Sequence, residues 1–203
     1  MTTKTSGITA KQVADLRAKT GAGMMDCKKA LEETAGDVAK AIEVLRAKGV
    51  ARADKRAEHE ASEGVIGSYV HHDGSVGVLV ELNSETDFVA RTDDFKVLAK
   101  DIAIHIAAAK PIAVRIEDVP ADIIERERRV YTAQVAEEKK PEAVRQKIVE
   151  GKLKKFYQEN VLLEQPFVKD DTMTVGDLVK ALSGKTGEKV EIRRFARFEL
   201  GGN

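Results

Sequence analysis

Val76-Gly77-Val78-Leu79-Val80-Glu81-Leu82 is the run whose reading decides the fold. Val76, Val78, Val80 and Leu82 recur at every second position, so one face of an extended segment carries large apolar groups and is buried. Upstream, Val65 to His72 is a second β-rich run. Asp73-Gly74 lies between the two, a pair suited to the positive φ angles of a type I′ turn. The runs therefore pair as a hairpin. Near the end of the chain, Val190, Ile192, Ala196, Phe198 and Leu200 alternate with Glu191, Arg193, Arg197 and Glu199. This segment is expected to join the hairpin as a third, half-buried strand.

Outward from the strand, Glu85-Thr86-Asp87-Phe88-Val89 forms a short loop before a helical run that begins near Asp93. Short loops held by rigid elements carry function more often than the elements themselves. Phe88 has two readings, a plug folded back into the core or a group held out for a partner. The loop alone favours the plug, because buried aromatics are common. Thr92 can cap the helix that follows, and Phe95, Leu98, Ile102, Ile106 and Ala109 form its apolar stripe up to Pro111.

Toward the start, Thr9 and Gln12 stand at capping-box spacing, with Ile8 and Val13 placed as a staple. A helix is expected to about Lys19, broken by Gly21-Ala22-Gly23. A second runs from about Met25 to Thr34. A third begins at Asp37, carries Val38, Ala41, Ile42 and Leu45 on one face, and ends at Gly49. Residues 1–50 thus form a three-helix bundle, 51–63 a charged linker, and 64–203 the core. Within the core, Pro120 opens a highly charged helix to Glu138 with a thin stripe of Ile124, Tyr131 and Val135. Lys139-Lys140-Pro141 breaks it, and a second helix carries Val144, Ile148, Leu153 and Phe156. Two such narrow-striped helices predict an antiparallel hairpin, at about 118–160, that projects into solvent. Thr174 then caps a last helix that ends at Gly184. The whole is an α+β protein.

Composition excludes several classes of function. Acids and bases balance at 34 each, so no global basic field announces nucleic acid. A single cysteine rules out an internal disulfide and fits a reducing compartment. Met1 to Gly7 has no apolar h-region and no run reaches membrane-spanning length, so a cytoplasmic protein without signal peptide or membrane anchor is expected. Gly184-Lys185-Thr186 fails as a P-loop, because Val179 stands where a glycine is required and the order of strand and helix is reversed. It reads as a loop. His71 and His72, adjacent on a strand, point to opposite faces. His105 reads as a hydrogen-bonded core residue and Cys27 as a buried structural thiol. No metal, cofactor or catalytic constellation is expected. Lys139 to Lys155 holds seven Lys or Arg against two Glu, a stretch read as a solvated helix face. Met24 and Met25 open the second helix, where they suit an adaptable contact surface and a small core equally.

The stretch from Leu16 to Leu31, with Arg17-Ala18-Lys19-Thr20-Gly21-Ala22-Gly23-Met24-Met25-Asp26-Cys27 at its centre, resembles the signature of the bacterial translation elongation factor Ts family. So does Thr86-Asp87-Phe88-Val89. The likeness continues through His105 to Pro111, Glu150 to Phe156 and Gln165-Pro166-Phe167-Val168.

That resemblance implies a guanine-nucleotide exchange factor of the GTPase elongation factor Tu, not an enzyme. It implies that the N-terminal bundle resembles a ubiquitin-associated (UBA-like) domain and meets the GTPase through residues that include Arg17, Met24 and Met25. Thr86, Asp87, Phe88 and Val89 would be the partner-binding loop, with Asp87 and Phe88 intruding near the partner's Mg²⁺ site. The chain has one hairpin-and-loop core unit and stops at Asn203 without a further helix, as in the short form of the family. In some short members a second copy supplies the lost surface, which makes a homodimer an expectation here. Two rivals stand beside this reading. One is an adaptor that uses the bundle alone. The other is an RNA-binding factor that uses the basic hairpin.

Overall fold

The computed structural model describes residues 7–136 and 141–202. Three helices open it, α1 (Ala10–Thr20), α2 (Met24–Glu33) and α3 (Val38–Lys55). The expected capping box is present at α1. The amide of Gln12 donates to the Thr9 hydroxyl at 3.2 Å, and the amide of Thr9 donates to the Gln12 side chain at 2.8 Å. Asp37 accepts from the Lys40 amide at 3.1 Å to start α3. Val13, Leu16, Cys27, Ala30, Leu31, Ala41 and Leu45 close around one another as the bundle's own core.

The helix expected to stop at Gly49 continues to Lys55, so residues 51–55 of the expected linker are helical. Gly49 has another use. There α3 packs on α8 (Val175–Thr186), and a Cβ built on Gly184 would lie 2.6 Å from the Gly49 Cα. The crossing is too close for a side chain at Gly184, whereas a Cβ on Gly49 would meet the Gly184 Cα at an ordinary 3.8 Å. Helix α8 likewise runs past Gly184, to the left-handed Gly187, whose amide donates to the Ser183 carbonyl. Gly184-Lys185-Thr186 is therefore the last turn of a helix rather than a loop.

The sheet consists of β1 (Glu63–Val70), β2 (Val76–Ser84) and β5 (Val190–Glu199), in the order β1-β2-β5 with both pairs antiparallel. The hairpin forms, but its turn is not type I′. The Gly74 amide donates to the His71 carbonyl, and of the turn residues only Gly74 has positive φ, at +71°. Type I′ requires positive φ at both central residues. His71 and His72 lie in this turn, beyond the end of β1, with their rings edge to face at 4.3 Å.

A bulge changes the reading of β5. Glu81 pairs with Arg194 and Leu82 with Ile192, which leaves Arg193 as an extra residue. Side chains beyond a bulge swap faces. Val190 and Ile192 are buried as expected, but Phe195 then packs inward, and Ala196 and Phe198 turn outward. Helix α5 (Asp93–Ala109) lies on the inner face of the sheet. Its Phe95, Ile102 and Ile106 join Val78, Val80 and Leu82 in the main core, to which α8 adds Val175, Val179 and Leu182.

The helical hairpin is α6 (Ala121–Ala136) and α7 (Glu142–Asn160). Its seam is narrow, with Val135, Val149 and Leu153 buried between Tyr131, Ile148 and Tyr157. Val144, expected in the stripe, is exposed. The break at Lys139-Lys140 lies outside the described residues. A short ladder of β3 (Pro166–Phe167) and β4 (Asp170–Thr174) leads into α8, capped by Thr174 and Asp177 as expected. Among the described residues, no helix is long and apolar enough to cross a membrane.

Candidate functional site

The stretch after β2 is a single helical turn, α4 (Asp87–Ala90), capped by the Thr86 hydroxyl. Val89 and Ala90 are its anchors. Both are buried in the main core, and the Val89 carbonyl accepts from the Thr92 hydroxyl at 2.8 Å. Thr92 in turn caps α5. With Val89 and Ala90 turned inward, Asp87 and Phe88 point into solvent. Phe88 is 78 % exposed, so it does not plug the core. The ring that fills the space beneath is Phe95, which is fully buried. Among the described residues, Asp87 is paired only with Arg91 at 2.7 Å, and both side chains are well exposed.

Thr86 is held from three sides. Its amide and hydroxyl donate to the Glu188 carboxylate at 3.1 and 2.7 Å, and its carbonyl accepts from the Ser84 hydroxyl at 2.9 Å. The preceding residue is held as firmly. The Glu85 carboxylate accepts from the Lys189 backbone amide at 2.6 Å, from Arg56 at 2.9 and 3.0 Å, and from His59 Nδ1 at 3.2 Å. Burial by itself would raise its pKa, but these donors outweigh burial and hold it down to about 2. Glu85 is therefore ionised at every physiological pH. Asp87 and Phe88 thus project from a turn fixed at both ends, an arrangement suited to presenting a ring and a carboxylate to another surface rather than to chemistry on a small molecule.

Arg17, Met24 and Met25 lie on α1 and α2, and all three are exposed. The two methionines stand at the open start of α2, while Cys27, Ala30 and Leu31 of the same helix fill the bundle core. Of the two readings of Met24 and Met25, the core one is excluded. Among the described residues, no hydrogen bond or ion pair joins these three side chains to the turn at Thr86.

The other chemical candidates resolve into structure. His105 is buried. Its Nδ1 accepts from the Val168 amide at 3.3 Å, so Nε2 carries the proton given to the Gln165 side chain at 2.9 Å. Burial pushes its pKa down, against the opposing pull of Gln165. Cys27 is fully buried, with its thiol 3.7 Å from the Ala22 carbonyl. Among the described residues, no three His, Cys, Asp or Glu side chains gather as a metal site. What sequence reasoning missed is the joint role of Glu85, Glu188, Arg56, His59 and Lys189. They come from three separate stretches of chain, and no local pattern links them.

Comparison with known proteins gives a consistent result. The family model described as "Elongation factor TS" matches residues 2–202. The chain is 58 % identical to the elongation factor Ts of Carboxydothermus hydrogenoformans over 96 % of its own length and 89 % of the relative's. It is 55 % identical to that of Fervidobacterium nodosum, over 96 % and 98 % of the two chains. The Desulforamulus reducens protein is 57 % identical over 96 % and 89 %.

Proposed function

We propose that this chain, which belongs to the elongation factor Ts family and so serves translation elongation, binds elongation factor Tu in its GDP form and speeds release of the nucleotide. The observation that carries the reading is Phe88, a large ring left 78 % exposed on a turn whose neighbours Thr86, Val89 and Ala90 are all tied down. A free ring in water is unfavourable, and a fixed one loses little entropy on meeting a partner.

The physics is linkage. A factor that binds the nucleotide-free GTPase more tightly than the GDP-bound one must weaken GDP binding by the same ratio. No bond is made or broken, so the chain acts as no enzyme and needs no catalytic acid, nucleophile or cofactor. The Mg²⁺ belongs to the partner, where it offsets phosphate charge and holds its ligands in an octahedral shell. On this reading Phe88 wedges beside that shell, Asp87 redirects groups around the metal, Thr86 sets the turn and Val89 roots it. Arg17, Met24 and Met25 dock the bundle on the GTPase. The division into a bundle to residue 50, a connection over 51–63 and a core from 64 belongs to the same reading, with α3 running from the first part into the second. The site of action is the cytoplasm, and neither membrane nor nucleic acid is a direct partner.

A second copy of the chain is also part of the proposal. The outer face of the sheet carries Ile66, Val70, Leu79 and Phe198, with Leu200 just past its edge, all exposed. Monomers rarely leave such a contiguous apolar surface uncovered, and two copies can pack these faces together.

The test is release of labelled GDP from elongation factor Tu with and without the chain. Faster release is expected. An unchanged rate at micromolar factor would overturn the reading.

A further inference from the structure

Two carboxylates clamp the turn to the start of β5 in reciprocal fashion. Glu85 takes the backbone N–H of Lys189 at 2.6 Å, and the neighbouring Glu188 takes the backbone N–H of Thr86 at 3.1 Å. The residue pairs Glu85-Thr86 and Glu188-Lys189 are thus cross-linked in both directions. Glu85 does more than this. Its remaining lone pairs hold Arg56, the residue that ends α3, and His59 just beyond. The Lys189 ammonium closes the circle by donating to the His59 carbonyl at 2.9 Å. Helix α3 carries Ala41 and Leu45 in the bundle core. A single side chain, carried by the residue that precedes Thr86, therefore touches the end of the last bundle helix and the residue that precedes β5.

We propose that Glu85 is a positioning residue that ties the N-terminal bundle to the Phe88 turn through Arg56 and His59, so that docking of the bundle fixes where the ring is presented. This rests on the exchange reading above. Glu85 itself is 19 % exposed at its side chain, whereas Arg56 and His59 are 38 % and 48 % exposed. Pairs with one partner in water add little to folding stability. Their effect here is geometric: a wedge must be held to within a fraction of an ångström by the groups behind it. Arg56 Nη1 sits between both Glu85 oxygens, a charge-assisted contact that holds the end of α3 against this carboxylate. Glu188 fixes Thr86 and is itself tied to α8 through Ser183 and Thr186, so of the two carboxylates Glu85 is the one in direct contact with the end of α3.

The test uses the full chain and elongation factor Tu loaded with labelled GDP. The variants are Arg56→Ala, Glu85→Gln and the double variant. Glutamine keeps an acceptor for the Lys189 amide and loses the ionic grip on Arg56. The release rate at saturating factor should fall about threefold to tenfold in each single variant, with no further fall in the double variant, as expected of one shared interaction. The half-saturating concentration should move little, and Arg56→Ala should melt close to wild type although Glu85→Gln melts lower for want of its charge, which separates positioning from a merely structural role. Wild-type rates at saturation, or losses that multiply in the double variant, would overturn the proposal. A wild-type chain that leaves GDP release unchanged would instead remove the exchange reading. In that case hydrogen exchange of the amides of residues 86–90 in the free chain still decides the positioning role. Faster exchange in both single variants supports it, and unchanged exchange sinks it.

Discussion

Phe88 and Phe95 occupy consecutive helical segments, yet Phe88 is 78 % exposed and Phe95 is fully buried. The residue type does not decide between them. The backbone does. Val89 and Ala90 take the inward positions of α4, which leaves Phe88 on the outer side. Thr92 then restarts the chain so that Phe95 opens the inward stripe of α5 with Ala99, Ile102 and Ile106. Burying a phenylalanine gains about 1.5–3 kcal/mol over leaving it in water. The chain forgoes that gain at Phe88 and takes it at Phe95. One ring serves the fold, and the other is left in water, where the exchange proposal gives it a partner.

The largest effect tests this division directly. Phe95→Ala should cost about 3–5 kcal/mol of stability, as truncation of a buried phenylalanine does. Phe88→Ala should stay within about 0.5 kcal/mol, the range of surface substitutions, while GDP release from elongation factor Tu at saturating factor falls strongly. Thermal melts of both variants, beside release rates, give the comparison. A large loss of stability in Phe88→Ala with normal release would return that ring to the core.

What could be read in the sequence was what depends on near neighbours. The caps at Thr9, Thr92 and Thr174 are contacts across three positions and were legible as such. The alternation of Val76 to Leu82 was legible because β2 is the central strand with one face on the core. What depends on distant partners was not. Gly49 and Gly184 read as helix stops, since a glycine that ends a helix looks the same as one that admits a crossing helix. The extra residue Arg193 is defined only by its pairing with β2, so Phe198 was counted on the buried face. Asp73-Gly74 signalled a turn correctly but not its type. For the candidate site, the loop at Thr86 was legible from its place between a strand and a helix and its role came from likeness to a family, while the exposure of Phe88 and the hold of Glu85 on Lys189, 104 positions away, required the fold.

His105 sharpens the buried side of the comparison, since it lies on the same stripe as Phe95. Burial lowers its pKa below the usual imidazole value of 6.5. The unfolded chain therefore binds a proton first as the pH falls. The stability that neutral His105 contributes is present above about pH 6.5 and is lost below it, by at most about 1.4 kcal/mol per pH unit. Urea midpoints at pH 7.5 and 5.5 should differ more in the wild type than in His105→Gln. Equal slopes would mean that the imidazole is not held neutral.

The outer sheet face extends the exposed side. Phe198 resembles Phe88 in being left in water, at 68 % exposure, but its neighbours Val70 and Leu79 are apolar too. Phe198→Lys should abolish a dimer seen by sedimentation at micromolar concentration and leave the melting of the monomer nearly unchanged. A wild-type chain that sediments as a monomer removes the homodimer from the proposal.

The smallest effect belongs to Asp87. Its carboxylate meets Arg91 at 2.7 Å, but both side chains are more than half exposed, so in the free chain the pair is screened and contributes little to folding. Asp87→Ala should therefore leave the melting temperature within about 2 °C of wild type, the shift that half a kcal/mol gives in a chain of this size. On the exchange proposal, the carboxylate acts where charge around the partner's Mg²⁺ is redistributed, whereas the Phe88 ring acts by volume. Removing the acid leaves the wedge in place, so release at saturation should slow less than in Phe88→Ala. Asp87→Asn sharpens the point, because the amide keeps the size and hydrogen-bonding reach of the acid and loses its charge. Release by the asparagine variant that matches Asp87→Ala would assign the role to charge. Release that matches wild type would assign it to shape and hydrogen bonding, and would remove charge from the proposed role of Asp87.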